Sequence, residues 1–142
     1  MGKNNRRLRV LLDTNILISA FQFGGTPFYV FEYILSKRVV GITSEELLAE
    51  LLGVFQRKFQ LDRDTLTLIT KKVRRAIRMV APTVSLDVLN DFDDNRVLEA
   101  TITGHCDYIV TGDTDLLNLK QFRGIAVVTP AEFLKIVDDR NV

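Results

Sequence analysis

Apolar positions along the chain follow two alternating periods. LRVLL (8–12), VVGIT (39–43), YIVT (108–111) and IAVVT (125–129) are short runs rich in Val, Ile and Leu, with the length and composition of strands. Between them apolar residues recur every three or four positions, as on helices. This spacing predicts a short helix from Thr14, a second from Pro27 to Ser36 and a third from Ser44 to about Phe59. It continues with a longer helix from Asp62 to Arg78, an extended piece near Met79 to Val84, a helix from about Asp93 to Thr103, a helical turn at Asp115 and a closing helix from Pro130. Strands separated by helices pair in parallel through crossovers, because tight turns cannot join parallel neighbours, so the predicted fold is a three-layer α/β/α sandwich. In such sheets the ligand crevice lies at the carboxyl ends of the strands, where strand order reverses. Two predicted strands end alike: LRVLL runs into Asp13, and YIVT runs through Gly112 into Asp113.

At 142 residues the chain suits one domain, expected over 8–138, with a polar tail at 1–7 (MGKNNRR) and another at 139–142. Lys and Arg total 19 against 18 Asp and Glu, so no global field marks a nucleic-acid binder and any basic footprint must be local. One stretch qualifies: Lys71, Lys72, Arg74, Arg75 and Arg78 follow the predicted helix. They read either as a solvated helix face or, through Arg74, Arg75 and Arg78, as an RNA-binding surface. The single cysteine, Cys106, excludes an intrachain disulfide and a CxxC motif, and fits a reducing cytoplasm. Asp13 and Asn15 interrupt what would be the apolar region of a signal peptide, and no apolar run reaches the roughly 20 residues of a membrane span.

Elimination narrows the chemistry. With one histidine, His105, and one cysteine, the usual zinc site lacks ligands and two-histidine cleavage of RNA is excluded. His105 follows Gly104 at a predicted helix end, a capping position rather than a catalytic one. No stretch matches GxGxxG or GxxxxGK[ST]. Carboxylates remain, and hard oxygen ligands suit Mg²⁺ or Mn²⁺, which can activate water and neutralise a phosphate without any histidine. Asp13 sits between two apolar runs, where a lone carboxylate is costly unless it caps a helix. Glu50 lies mid-helix among apolar neighbours, one turn after Glu46, a like-charge spacing that a cation would relieve. Asp91, Asp93 and Asp94 precede a helix, as do Asp113 and Asp115, and capping alone accounts for acids there. Position does not choose among the first three.

LLDTNILISAF, TSEELLAELLGVF, DFDDNRVLEAT and CDYIVTGDTDLLNL, followed by a strand, Pro130 and EFL, resemble the PIN-domain family from about Leu8 to Ile136. More narrowly they resemble its VapC-like ribonucleases, the toxin components of toxin-antitoxin systems. The resemblance implies a five-stranded parallel sheet of order 3-2-1-4-5 and a Mg²⁺- or Mn²⁺-dependent endoribonuclease. By motif position the four family acids fall on Asp13, Glu50, Asp94 and Asp113, as catalytic and metal-holding residues. Asp115 matches a fifth acid, and Asn15 and Thr111 fall on supporting polar positions. Thr101 departs from the pattern, which often has a small apolar residue there. The expected partners are an RNA substrate, a cognate antitoxin and a second copy of the chain in a homodimer. Two other readings compete: a PIN-like module that binds RNA or protein without cutting, and a haloacid-dehalogenase-like phosphatase. The latter needs a second Asp two residues after the first, where this chain has Asn15.

Overall fold

The structure, a computed structural model, describes residues 6–142; Met1 to Asn5 of the expected N-terminal tail lie outside the described residues. The apolar runs form strands β1 (Arg9–Leu12), β2 (Val40–Ser44), β3 (Ile77–Val80), β4 (Tyr108–Val110) and β6 (Ile125–Val128), with a two-residue β5 (Gln121–Phe122) before the last. The sheet order is β3-β2-β1-β4-β6-β5, parallel except for the β5–β6 pair. The predicted order therefore holds for the five parallel strands, and a short antiparallel edge strand is added. That edge comes from a turn in which Arg123 and Gly124 both have positive φ, 51° and 83°, matching the turns that join twisted antiparallel strands. Two residues are too few to show a period of two.

Helices α1 (Thr14–Gln22), α2 (Gly25–Leu35), α3 (Glu45–Phe59), α4 (Arg63–Ala76), α5 (Phe92–Thr103), α6 (Thr114–Leu117) and α7 (Pro130–Asp139) fill the connections. Their starts follow cap chemistry: Ser44 Oγ accepts from the Leu47 N–H, Asp62 from Thr65, and Thr129 with Glu132 forms a reciprocal capping box ahead of Pro130. One boundary differs from expectation. α4 ends at Ala76, and Ile77 turns extended to pair with Gly41, so Arg78 lies on β3 and not on the helix.

Alternation along the strands sends side chains to opposite faces. Val10, Leu12 and Val110 join one core with buried residues of α1, α2, α3, α4 and α7, among them Phe31, Leu51, Phe55 and Phe133. Leu11, Ile42, Ile109 and Val127 join a second core with Val97, Leu98 and Ala100 of α5 and Leu116 of α6. These are the three predicted layers. Thr101, the departure from the pattern, is buried and its hydroxyl donates to the Val97 carbonyl at 2.7 Å, so it costs no unpaired polar group. Among the described residues no helix is long and apolar enough to cross a membrane.

Candidate metal centre

β1 and β4 are neighbours from which the chain departs in opposite directions, so the sheet's switch point lies between them. Asp13 follows β1 and Asp113 stands three residues after the end of β4, at the carboxyl edge of that junction. Asp13 is 6 % exposed, and its backbone N–H is tied to the Val110 carbonyl at 2.9 Å. Although Asp13 stands at the N-cap of α1, its side chain makes no capping hydrogen bond. Its Oδ2 instead accepts from the buried Thr111 hydroxyl at 2.8 Å, and that hydroxyl oxygen accepts from the Asp113 N–H at 2.9 Å. Thr111 thus couples the two strand-end acids. Asn15 is exposed on the first turn of α1.

Three acids come within one ligand sphere: Asp94, Asp113 and Asp115 each offer a carboxylate oxygen, all within 4.8 Å of one another. Asp113 Oδ1 also accepts from the Asp115 N–H at 3.0 Å, capping α6, so capping and membership of the cluster coexist. On α5 the roles divide. Asp91 Oδ1 accepts from the N–H groups of Asp93 and Asp94, at 2.8 and 3.3 Å, and caps the helix. Asp94 Oδ2 is buried with no hydrogen-bond partner among the described residues. A buried oxygen left unpaired is costly, and a cation is the partner that suits a carboxylate surrounded by carboxylates.

Electrostatics bind the remaining acids to this group. Burial pushes the Asp94 carboxyl up to about 7, reinforced by Asp113, Asp91 and Asp13. Burial also raises Glu50 to about 7, opposed by a hydrogen bond to Thr14 and reinforced by Asp93 and Asp13. Asp13 is raised in the same way, chiefly by burial, with Asp113 and Asp91 adding to it and the Thr111 hydroxyl and Thr14 N–H opposing it. Glu46, by contrast, is exposed. Glu50 thus reaches the acid cluster from α3, Asp94 from α5, Asp13 from β1 and Asp113 from the loop after β4. Each raised acid is held near others that repel its charge, the arrangement from which functional sites commonly draw their chemistry. Mg²⁺ or Mn²⁺ fits these oxygen donors and the unpaired Asp94 Oδ2.

Sequence reasoning missed the residues that hold the α5 acids in place. Residues 81–91 have no regular structure and lie along α5 through side-chain hydrogen bonds. Asn95 Oδ1 accepts from the N–H groups of Val88 and Leu89, both at 2.9 Å, and its amide donates to the carbonyls of Leu89 and Asp91. Glu99 accepts from the Leu86 N–H at 2.7 Å, and Arg96 closes a buried ion pair with Glu99 while donating to the Leu86 carbonyl. The signal was the string NRVLEA itself, where three polar residues interrupt an apolar helix. Replacing Asn95 by Ala strands two backbone N–H groups; it should cost about 1–3 kcal/mol in denaturant unfolding and increase amide exchange across 86–91. Unchanged exchange there would refute the clamp.

The basic residues lie elsewhere. Arg74, Arg75 and Arg78 are exposed beside the amino ends of β2 and β3, the edge of the sheet opposite the acids. Arg74 is engaged, donating from both terminal nitrogens to Glu45 at 2.7 Å.

A family model described as PIN domain matches residues 9–115. Two solved structures share the fold. One is that of VapBC2 from Rickettsia felis bound to a DNA fragment from their promoter, at 14% identity and a TM-score of 0.60, covering 84% of this chain and 97% of that one. The other is PAE2754 from Pyrobaculum aerophilum, at 15% identity and a TM-score of 0.60, covering 92% of this chain and 90% of that one. No curated protein matches the chain.

Proposed function

Because the chain belongs to the PIN-domain family, we propose that its acid cluster is the active site of a cytoplasmic Mg²⁺- or Mn²⁺-dependent endoribonuclease, the toxin of a toxin-antitoxin pair. The observation that carries this reading is Asp94, which has a buried, unpaired Oδ2 and brings a carboxylate oxygen within 4.8 Å of Asp113 and Asp115. The likeness in fold to VapBC2 supports the toxin assignment. Asp94, Asp113 and Asp115 would hold the cation directly, with Asp13 and Glu50 flanking it. When bound, the cation supplies an activated water and neutralises charge on the scissile phosphate.

The chain's own groups do the rest. Thr111 fixes Asp13 by a hydrogen bond to Oδ2. Glu50, held against Thr14 and beside Asp13 and Asp93, adds a further carboxylate at the flank of the cluster. Exposed Phe23, Phe28 and Tyr29, at and beyond the junction of α1 and α2, provide apolar surface for the partner chains this reading requires, an antitoxin and a second copy.

Purified protein should cleave total RNA with added Mn²⁺ and stop when a chelator is present. Glu50→Gln should lose most of that activity while Glu46→Gln keeps most of it, since only Glu50 reaches the acids. The reverse ranking would move the role to Glu46. Intact RNA with every divalent metal tried would favour a binding module that does not cut.

A further inference from the structure

A cavity of about 300 Å³ opens at the amino edge of the sheet, beside the first residues of β2 and β3. Besides Arg74, which Glu45 holds in an ion pair, Arg7, Lys37, Arg75 and Arg78 line it, and no carboxylate does. Among the described residues none of these four forms an ion pair, in a chain whose formal net charge is only +1. Like charges gathered at one place repel unless an anion joins them, so the concentration of unpaired cations here sets up a local positive potential.

The cavity is one part of a track. A second, of about 490 Å³, shares Lys37 and Arg75 with it and continues past Lys71 and Lys72 over Leu35 and Leu68. A third, of about 290 Å³, shares Arg7 and Arg78 and extends the other way. Guanidinium groups present paired donors that match phosphate oxygens, and Arg7, Arg75 and Arg78 supply three of them along the track. A single small anion would fill one cavity. A run of phosphates along connected cavities, with half-exposed Leu35 and well-exposed Leu68 beside it to cover an unstacked base, fits a polynucleotide strand better.

We propose that this amino-edge track binds the phosphodiester backbone of single-stranded RNA at a site separate from the acids. The strands run parallel, with the cavity at their amino ends and the acids at their carboxyl ends, so at least about 10 Å of sheet separates the two. A strand in the track therefore continues around the molecule before reaching the acids, and affinity rises with its length. The proposal takes the class of nucleic acid from the nuclease reading; binding itself requires neither metal nor cleavage.

The test measures binding of fluorescent single-stranded RNAs of about 4 and about 20 nucleotides, in chelator, across a salt series. Arg75→Glu/Arg78→Glu in the full chain should weaken binding of the longer RNA at least tenfold. Two lost phosphate contacts should flatten the salt slope by about 1.4, at about 0.7 per contact for single strands. The metal-dependent melting shift of the same variant should match wild type, showing that the fold and the acid cluster survive. Arg75→Gln/Arg78→Gln gives the same comparison if charge reversal prevents folding. An unchanged slope and affinity overturn the proposal. So does competition by inorganic phosphate or polyglutamate as effective as that by unlabelled RNA, since the track would then serve a free anion or an acidic protein segment. Loss of RNA cleavage with binding intact would instead count against the nuclease reading alone.

Discussion

Asp13→Asn and Asp113→Asn should each slow metal-dependent RNA cleavage by more than about a hundredfold while leaving the chain folded. Groups that merely orient a metal ligand already cost 10–100-fold when removed, so loss of a charged group facing the cation should exceed that range. Asn is the informative replacement because it keeps shape and hydrogen bonding. At 13, its amide oxygen can still accept from the Thr111 hydroxyl; at 113, it can still accept from the Asp115 N–H and cap α6. Asp13 separates the competing explanations most cleanly, since its side chain makes no capping bond. Cleavage rates on one RNA, with circular dichroism as the check on folding, measure the effect. Wild-type rates from both variants would remove these residues from the site.

The second large effect concerns stability against pH and metal. Glu50 and Asp94 are raised to about 7 in the folded chain, above the roughly 4 expected of carboxyls in an unfolded one. The folded state therefore binds more protons than the unfolded state between those values. Metal-free stability should decline as pH rises through that window and level off above it. Glu45 and Asp62 have lowered values, so any slope they add has the opposite sign and is confined to the acid end of the window, below pH 5.5. The metal-free melting temperature should thus be a few degrees higher at pH 5.5 than at pH 8. Mn²⁺ should act in the opposite sense. At pH 8, a concentration about 100 times its dissociation constant should add roughly 2.7 kcal/mol, provided the unfolded chain does not bind it. At pH 5.5, protons occupy Glu50 and Asp94, and the metal shift should shrink. Asp94→Asn should flatten the metal-free slope and lose most of the metal shift. A shift of equal size at both pH values, in wild type and variant alike, would mean that these carboxyls share no cation.

The strand-end acids were legible because each stands just beyond an apolar run that can only be a strand. The α5 acid was legible only through the family resemblance, which put it on Asp94, and not from its position. Asp91, Asp93 and Asp94 all sit where capping alone puts acids, and what separates them is long-range geometry. Asp91 turns back to its own helix, Asp93 meets Glu50, and Asp94 is buried toward Asp113. Thr14 was passed over because a hydroxyl in a first helical turn is unremarkable until α3 brings Glu50 against it. The basic run was visible, but its location was not. A helical period continues smoothly through Arg78, and only the pairing of Ile77 with Gly41 shows that the chain has already entered the sheet at its far edge.

The two cores on opposite faces of the sheet have a consequence for assembly. Glu50 rides on α3, whose Leu48, Leu51 and Phe55 belong to one core, while Asp94 rides on α5, whose Val97 and Leu98 belong to the other. Asp13 and Asp113 come from the sheet between them. The cluster is therefore complete only when both helical layers are docked: without α3 it loses Glu50 at its flank, and without α5 it loses Asp94 from the three acids at ligand spacing. On the proposed reading, metal affinity should therefore report completed folding, and a cavity cut into either core should loosen the ion even where it lies far from every ligand.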